Sequence, residues 1–180
     1  MDGGLPSVLR TGGCAPAMIG FPPALAAALD REFDYADGEG VDFEPCREFG
    51  DTGRTASWLR RWTEVPLDAA DFLVFGQDGT GGCAACRRVR DTDDLEAQPV
   101  ALFGSEGEVG VVARNLGDFR WLLAGGFGPL EAVEYPDSTM RPDPELREIA
   151  VAHSPAPRTA GQVIAAARAE FPDFARLVTG

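Results

Sequence analysis

The sequence predicts an α+β fold: a central antiparallel sheet in meander order, flanked by helices and followed by a C-terminal helical extension. Three observations lead there. Four short apolar runs between residues 72 and 113 are separated by turn-forming residues, the pattern of consecutive strands. The glycine-rich connections between them are short, which suits hairpins. Apolar residues at helical spacing precede these runs and resume after them.

Residues 1–20 are rich in Gly and Pro and read as an irregular arm. A first helix begins at Pro22-Pro23, where proline is tolerated in the first turn. Leu25, Leu29 and Phe33 give it one apolar face, and Asp37-Gly38-Glu39-Gly40 ends it. Val41-Asp42-Phe43 makes a brief extended piece before Pro45. Asp51 or Thr52 caps a short helix whose Trp58, Leu59 and Trp62 face inward together.

Phe72–Phe75 forms a buried strand that enters the turn Gly76–Gly82. Cys83–Val89 follows, then an acidic loop, then the strand Pro99–Phe103. Gly104–Glu108 is a loop, and Val109–Ala113 is the returning strand of a hairpin.

Asn115 caps the next helix, in which Phe119, Leu122 and Leu123 point one way, and Gly125-Gly126 stops it. An extended piece runs through Val133, Tyr135 and Pro136. Asp143-Pro144 opens a helix to about His153, and Thr159 with Gln162 has capping-box spacing for another. Ile164, Ala167, Phe171, Phe174 and Val178 keep helical spacing, with Pro172 breaking the segment in two. The expected organisation is therefore an arm over 1–20, an α+β core over 21–139, and a helical extension over 140–180 packing on that core.

Composition narrows the chemistry. The chain has 180 residues, enough for one domain, and carries 29 acidic against 16 basic residues, a net charge of -13. Every basic residue is Arg, so mechanisms built on a lysine amine are excluded: no P-loop lysine, no Schiff base, no kinase-type lysine. The one histidine, His153, rules out a multi-histidine metal site, and any Ser-His-Asp or Cys-His pair would have to use it. Such an acidic chain repels polyanions, so direct nucleic-acid binding is not expected. A basic protein partner suits it, although the same charge also simply keeps a protein soluble. There is no run of 18 apolar residues for a transmembrane helix, and Met1–Gly20 lacks the basic start and continuous apolar run of a signal peptide. A cytoplasmic protein with reduced thiols at Cys14, Cys46, Cys83 and Cys86 is the expectation.

Each chemical candidate has a plainer counterpart. Gly79-x-Gly81-x-x-Ala84 superficially matches a dinucleotide fingerprint, but no long helix follows to hold a pyrophosphate, so a hairpin is expected. Cys83-x-x-Cys86 resembles a redox or metal half-site; in a strand, residues three apart point to opposite faces, and small buried thiols filling a core are favoured. His153 near a helix C-terminus suits the last-turn carbonyls more readily than catalysis. Trp58, Trp62 and Trp121 sit beside leucines at helical spacing, which favours core over a stacking platform. Glu106 and Glu108 flank Gly107 at a hairpin turn, with Asp78 in the earlier turn. Solvated surface comes first for them, contact with arginine or lysine of a partner second, and acid–base catalysis a distant third.

Three successive segments carry a resemblance: Phe75-Gly76-Gln77-Asp78-Gly79-Thr80-Gly81-Gly82, then Gly104–Ala113 beginning Gly104-Ser105-Glu106-Gly107-Glu108, then Asn115-Leu116-Gly117-Asp118-Phe119-Arg120-Trp121-Leu122-Leu123. Together they resemble bacterial members of the SUKH superfamily, which includes a fungal cell-wall synthesis regulator and many bacterial immunity proteins. The resemblance covers roughly residues 21–135. Relatives commonly place bulky residues after the Gly-Gly pair, whereas Cys83, Ala84, Ala85, Cys86 and Arg87 follow here. The resemblance implies an α+β fold with no catalytic residues and no required cofactor or metal, and a role in binding and neutralising a cognate toxin.

The expectation is thus a non-enzymatic intracellular protein-binding domain, an immunity protein masking a basic toxin domain. Partner contacts are placed at Gln77, Asp78, Glu106 and Glu108. The alternatives are a small thiol- or metal-dependent enzyme using Cys83 and Cys86, with His153, or a regulatory scaffold without a toxin partner.

Overall fold

A computed structural model describes residues 19–154 and 156–180, so the expected arm, except Ile19 and Gly20, and Cys14 lie outside the described residues. The architecture is α+β. Strands β1 (Glu44–Pro45), β2 (Phe72–Gln77), β3 (Cys83–Arg87), β4 (Val100–Phe103) and β5 (Val109–Ala113) form one antiparallel meander in chain order. The helices are α1 (Pro23–Leu29), α2 (Thr52–Trp62), α3 (Leu116–Ala124), α4 (Pro129–Glu134), α5 (Pro144–His153), α6 (Ala160–Glu170) and α7 (Phe174–Thr179).

The alternation of strand side chains divides the interior into two layers. On one face Phe75, Ala84, Cys86, Val100, Leu102 and Val112 pack under α1, α3 and α5. On the other, Phe72, Ala85, Ala101, Phe103 and Val111 meet Leu59 of α2 and Phe174 and Val178 of α7. Helix α6 serves both layers, with Val163 and Ile164 in the first and Ala167 in the second. The small residues of β3 are fully covered, at 1% exposure or less for Ala84, Ala85 and Cys86. Residues 140–180 contribute Leu146, Ala150, Ala160, Val163 and Ile164 to the same core as Leu25 and Phe75.

Helix caps follow the local chemistry of the sequence. Asp51 accepts from Arg54 N–H, Asn115 from Asp118 N–H and Asp143 from Leu146 N–H, each within 2.9 Å. Thr159 and Gln162 form the reciprocal capping box. Between α6 and α7 lies the break expected at Pro172.

Four expectations need correction. Helix α1 stops at Leu29 rather than at 37–40: Arg31 turns away to pair with Asp143 (2.9 Å) and Glu145 (3.5 Å), and Phe33 packs edge-on against Phe43 instead of extending the stripe. The sheet has five strands, because Glu44–Pro45, just after the expected extended piece, pairs with Gln77 and Gly76. Strand β3 ends at Arg87, since the N–H groups of Val89 and Arg90 donate to the Gln98 side chain (2.9 and 3.0 Å) rather than to a strand. Residues 129–134 are helical, not extended. Pro129 is preset for the first turn, and the Glu131 carboxylate accepts from the N–H of Gly128 (3.0 Å) and, across the chain, from that of Asp42 (2.8 Å).

Candidate protein-binding surface

The strand register aligns Glu44, Gln77, Cys83, Phe103 and Val109 in one row across an end of the sheet. Beyond that row lie the β2–β3 and β4–β5 turns. Asp78 closes the first: its Oδ1 accepts from Thr80 N–H (3.0 Å), Thr80 Oγ1–H (2.6 Å) and Gly82 N–H (2.9 Å). In the second, Gly104 N–H donates to the Glu108 carbonyl at 2.6 Å, and the Glu108 carboxylate accepts from Glu106 N–H at 3.1 Å. The Ser105 hydroxyl then donates to Thr80 Oγ1 at 2.8 Å, joining turn to turn. A Cβ at Gly82 would lie 2.9 Å from Gly104 Cα, so glycine is required for the turns to sit this close. Asp42 braces the assembly from the side by accepting from Gly79 N–H (2.8 Å).

The segments 75–82 and 104–113 therefore meet at one end of the molecule. The acids of this end stand outside the ion pairs, as do Asp34, Glu39, Glu48 and Glu64 elsewhere among the described residues. The pairs Arg90–Glu170, Arg114–Asp118, Arg158–Asp118 and Arg120–Glu96 gather around α3, near the opposite end of the sheet. At the turn end, none of Asp42, Glu44, Asp78, Glu106 and Glu108 takes part in an ion pair among the described residues. In the acidic loop 91–94, Asp91 and Asp93 share a shallow hollow with Arg88 and Arg90, also without an ion pair among the described residues. Those acids of the turn end that reach solvent, Asp42, Glu44, Glu106 and Glu108, are open to a partner's cation.

Of the residues expected to make contact, Gln77 is exposed and donates to Glu44 (3.1 Å), Glu106 is exposed, and Glu108 is half-buried. Asp78 departs from the expectation of a protruding carboxylate. It is only 4% exposed, because its own turn and the crossing Gly104 enclose it, and its work is to shape the surface. Helix α2 adds a feature that helical spacing alone did not locate. Trp58 and Trp62 stack on each other, brace against Phe103 and remain half-buried beside the turn tips; Trp121 is buried as expected. Asp42 and Glu44 were equally hidden in the sequence, since β1 joins this end only through tertiary pairing.

The thiol candidates do not assemble. Cys86 lies in the layer under α3, and strand alternation sends Cys83 to the other face. Burial pushes the Cys83 thiol up to about 11, helped by the charges of Cys46 and Asp78, and the Cys86 thiol to about 12, helped by Glu96. That is the reverse of the depressed values that make a thiol nucleophilic. His153 stands at the end of α5, exposed, with its carbonyl accepting from Arg120 (2.9 Å). Among the described residues, no group of three or more His, Cys, Asp or Glu side chains is placed to hold a metal, and no helix is long and apolar enough to cross a membrane. In comparisons with protein-family models, curated proteins and solved structures, no match to the chain was found.

Proposed function

We propose that this chain is a non-enzymatic protein-binding domain of the SUKH type, an immunity protein that acts in the cytoplasm by masking a basic toxin domain. The observation that carries the proposal is the turn end of the sheet, where Glu44, Glu106 and Glu108 lack an arginine counter-ion among the described residues. Its shape is set by hydrogen bonds within and between the turns, so little ordering remains to oppose association. The motif succession supports the family, because its first two segments build this surface. The raised thiols weigh against the thiol-enzyme alternative.

The test is titration calorimetry of the full chain against the toxin domain encoded beside it. Binding should weaken steeply between low and physiological salt, as expected for steered, charge-complementary association. Glu44→Arg with Glu106→Arg, both at exposed positions, should weaken it at least tenfold while leaving thermal stability close to that of the parent. Salt-independent binding, or binding indifferent to both reversals, overturns the electrostatic surface; absence of any complex overturns the immunity role.

A further inference from the structure

We propose that the notch between the Trp58–Trp62 pair and the tips of the two turns is the anchor pocket of this surface, receiving an arginine side chain of the partner. This rests on the protein-binding proposal above and specifies the residue recognised. The notch encloses about 350 Å³, and Trp58, Arg61, Trp62, Gly81, Ser105 and Gly107 line it. That is room for one long side chain rather than for a cofactor.

Its walls are prearranged. The two indoles stack with centroids 5.9 Å apart and planes 19° apart, and both meet Phe103 edge-on at 5.6 and 5.0 Å. Trp62 is further fixed by its Nε1–H, which donates to the Gly104 carbonyl at 2.7 Å. On the opposite side, a Cβ placed on Gly81 or on Gly107 would meet nothing within 4 Å, so the turn tips leave the entrance open. Glu106 stands exposed between Ser105 and Gly107, outside any ion pair among the described residues.

A planar guanidinium uses every one of these features. It stacks on an indole face beside the turn tip that carries Glu106, whose chain neighbours Ser105 and Gly107 line the notch. A lysine ammonium has neither the plane nor the fork, so it shares only the long-range attraction. Tryptophan and arginine are also the residue types that dominate binding energy at interface centres. Arg61 lies on the same rim, exposed, and opposes an incoming cation. Its charge makes the proposal easy to challenge, because reversing it should improve binding.

Capped octa-arginine and octa-lysine peptides, titrated into the full chain at equal ionic strength, provide the test. The readouts are affinity and the indole N–H resonances of Trp58 and Trp62. Octa-arginine should shift both resonances and bind about tenfold more tightly than octa-lysine. Arg61→Glu should strengthen octa-arginine binding several-fold, and Glu106→Gln should weaken it by a similar factor. Trp58→Leu keeps apolar contact with Phe103 and should remove most of the preference for arginine. Equal affinities and equal shifts for the two peptides overturn the pocket, as does an Arg61→Glu protein that binds octa-arginine no better than the parent. If the toxin domain still binds in a salt-dependent way while that preference is missing, the arginine pocket fails and the acidic surface stands.

Discussion

Arg120 and Glu96 meet in a two-pronged ion pair, Nη1 to Oε1 at 3.0 Å and Nη2 to Oε2 at 2.8 Å. Arg120 is 2% exposed, and its guanidinium also donates to the His153 carbonyl (2.9 Å) and Ser154 Oγ (3.2 Å). One α3 side chain thus ties the β3–β4 loop to the end of α5.

Removing the acid from this pair leaves a buried guanidinium without its counter-charge. Glu96→Ala should therefore cost about 2–3 kcal/mol, below the full range for a buried pair because the Glu96 side chain is 35% exposed. Arg120→Met fills the same volume without a charge and should cost less. Urea unfolding midpoints compare the two. A Glu96→Ala protein as stable as its parent would deny the pair any structural role.

Gln98 is fully buried and uses its amide completely: Oε1 accepts from Val89 and Arg90 N–H, and Nε2 donates to the carbonyls of Arg90 (2.9 Å) and Thr92 (3.2 Å). Gln98→Leu strands these backbone groups and should destabilise by roughly 2–4 kcal/mol. Hydrogen exchange should localise the change, with Val89 and Arg90 amides losing protection first. Unchanged exchange there would show that the loop holds its form without the amide.

The two strand thiols should react slowly. With Cys83 near 11 and Cys86 near 12, thiolate is scarce at neutral pH. Labelling by a disulfide reagent at pH 7.5 should be slower than for a free cysteine and should rise steeply with pH. Because folding raises both values, stability attributable to these thiols declines as pH climbs from the ordinary thiol value of 9.0 toward the folded ones. Fast labelling of Cys83 or Cys86 in the native protein at neutral pH would reopen thiol chemistry.

Glu131 gives a second pH signature. Burial raises its carboxyl above the ordinary 4.5, and the neighbouring Asp42 charge adds to this, although N–H donors from Asp42 and Gly128 act in the opposite sense. A carboxyl raised by folding binds its proton more readily in the native state. Its contribution to stability is therefore largest at low pH and is lost as pH rises from the ordinary carboxylate value through the raised one. Glu131→Gln should flatten that part of the melting-temperature profile relative to the parent. Parallel profiles for the two proteins would mean that the burial has no thermodynamic consequence.

Much of the fold was legible because its determinants are local. The caps at Asp51, Asn115, Asp143 and Thr159 bond to backbone three residues away, so composition near each helix start carried the information. Glycine turns between apolar runs conveyed the meander in the same way. The candidate surface was legible only in outline. Glu106 lies exposed where its turn suggested, but Asp78 could be recognised as buried only once Gly104 was seen to cross its turn.

By itself, then, the sequence determined an all-arginine, acidic chain, the capped helices and the succession of hairpins. Whereas the helix over 129–134 had a local signal in Gly128-Pro129 and Glu131, the tertiary structure decided where α1 ends and that Glu44–Pro45 is a strand. It also brought Trp62 against Gly104, Asp42 to Gly79 and Glu131 to Asp42. The reason is physical. A cap or turn is selected by bonds within a few residues, whereas these contacts join segments far apart in the chain, and packing both faces of the sheet sets their positions.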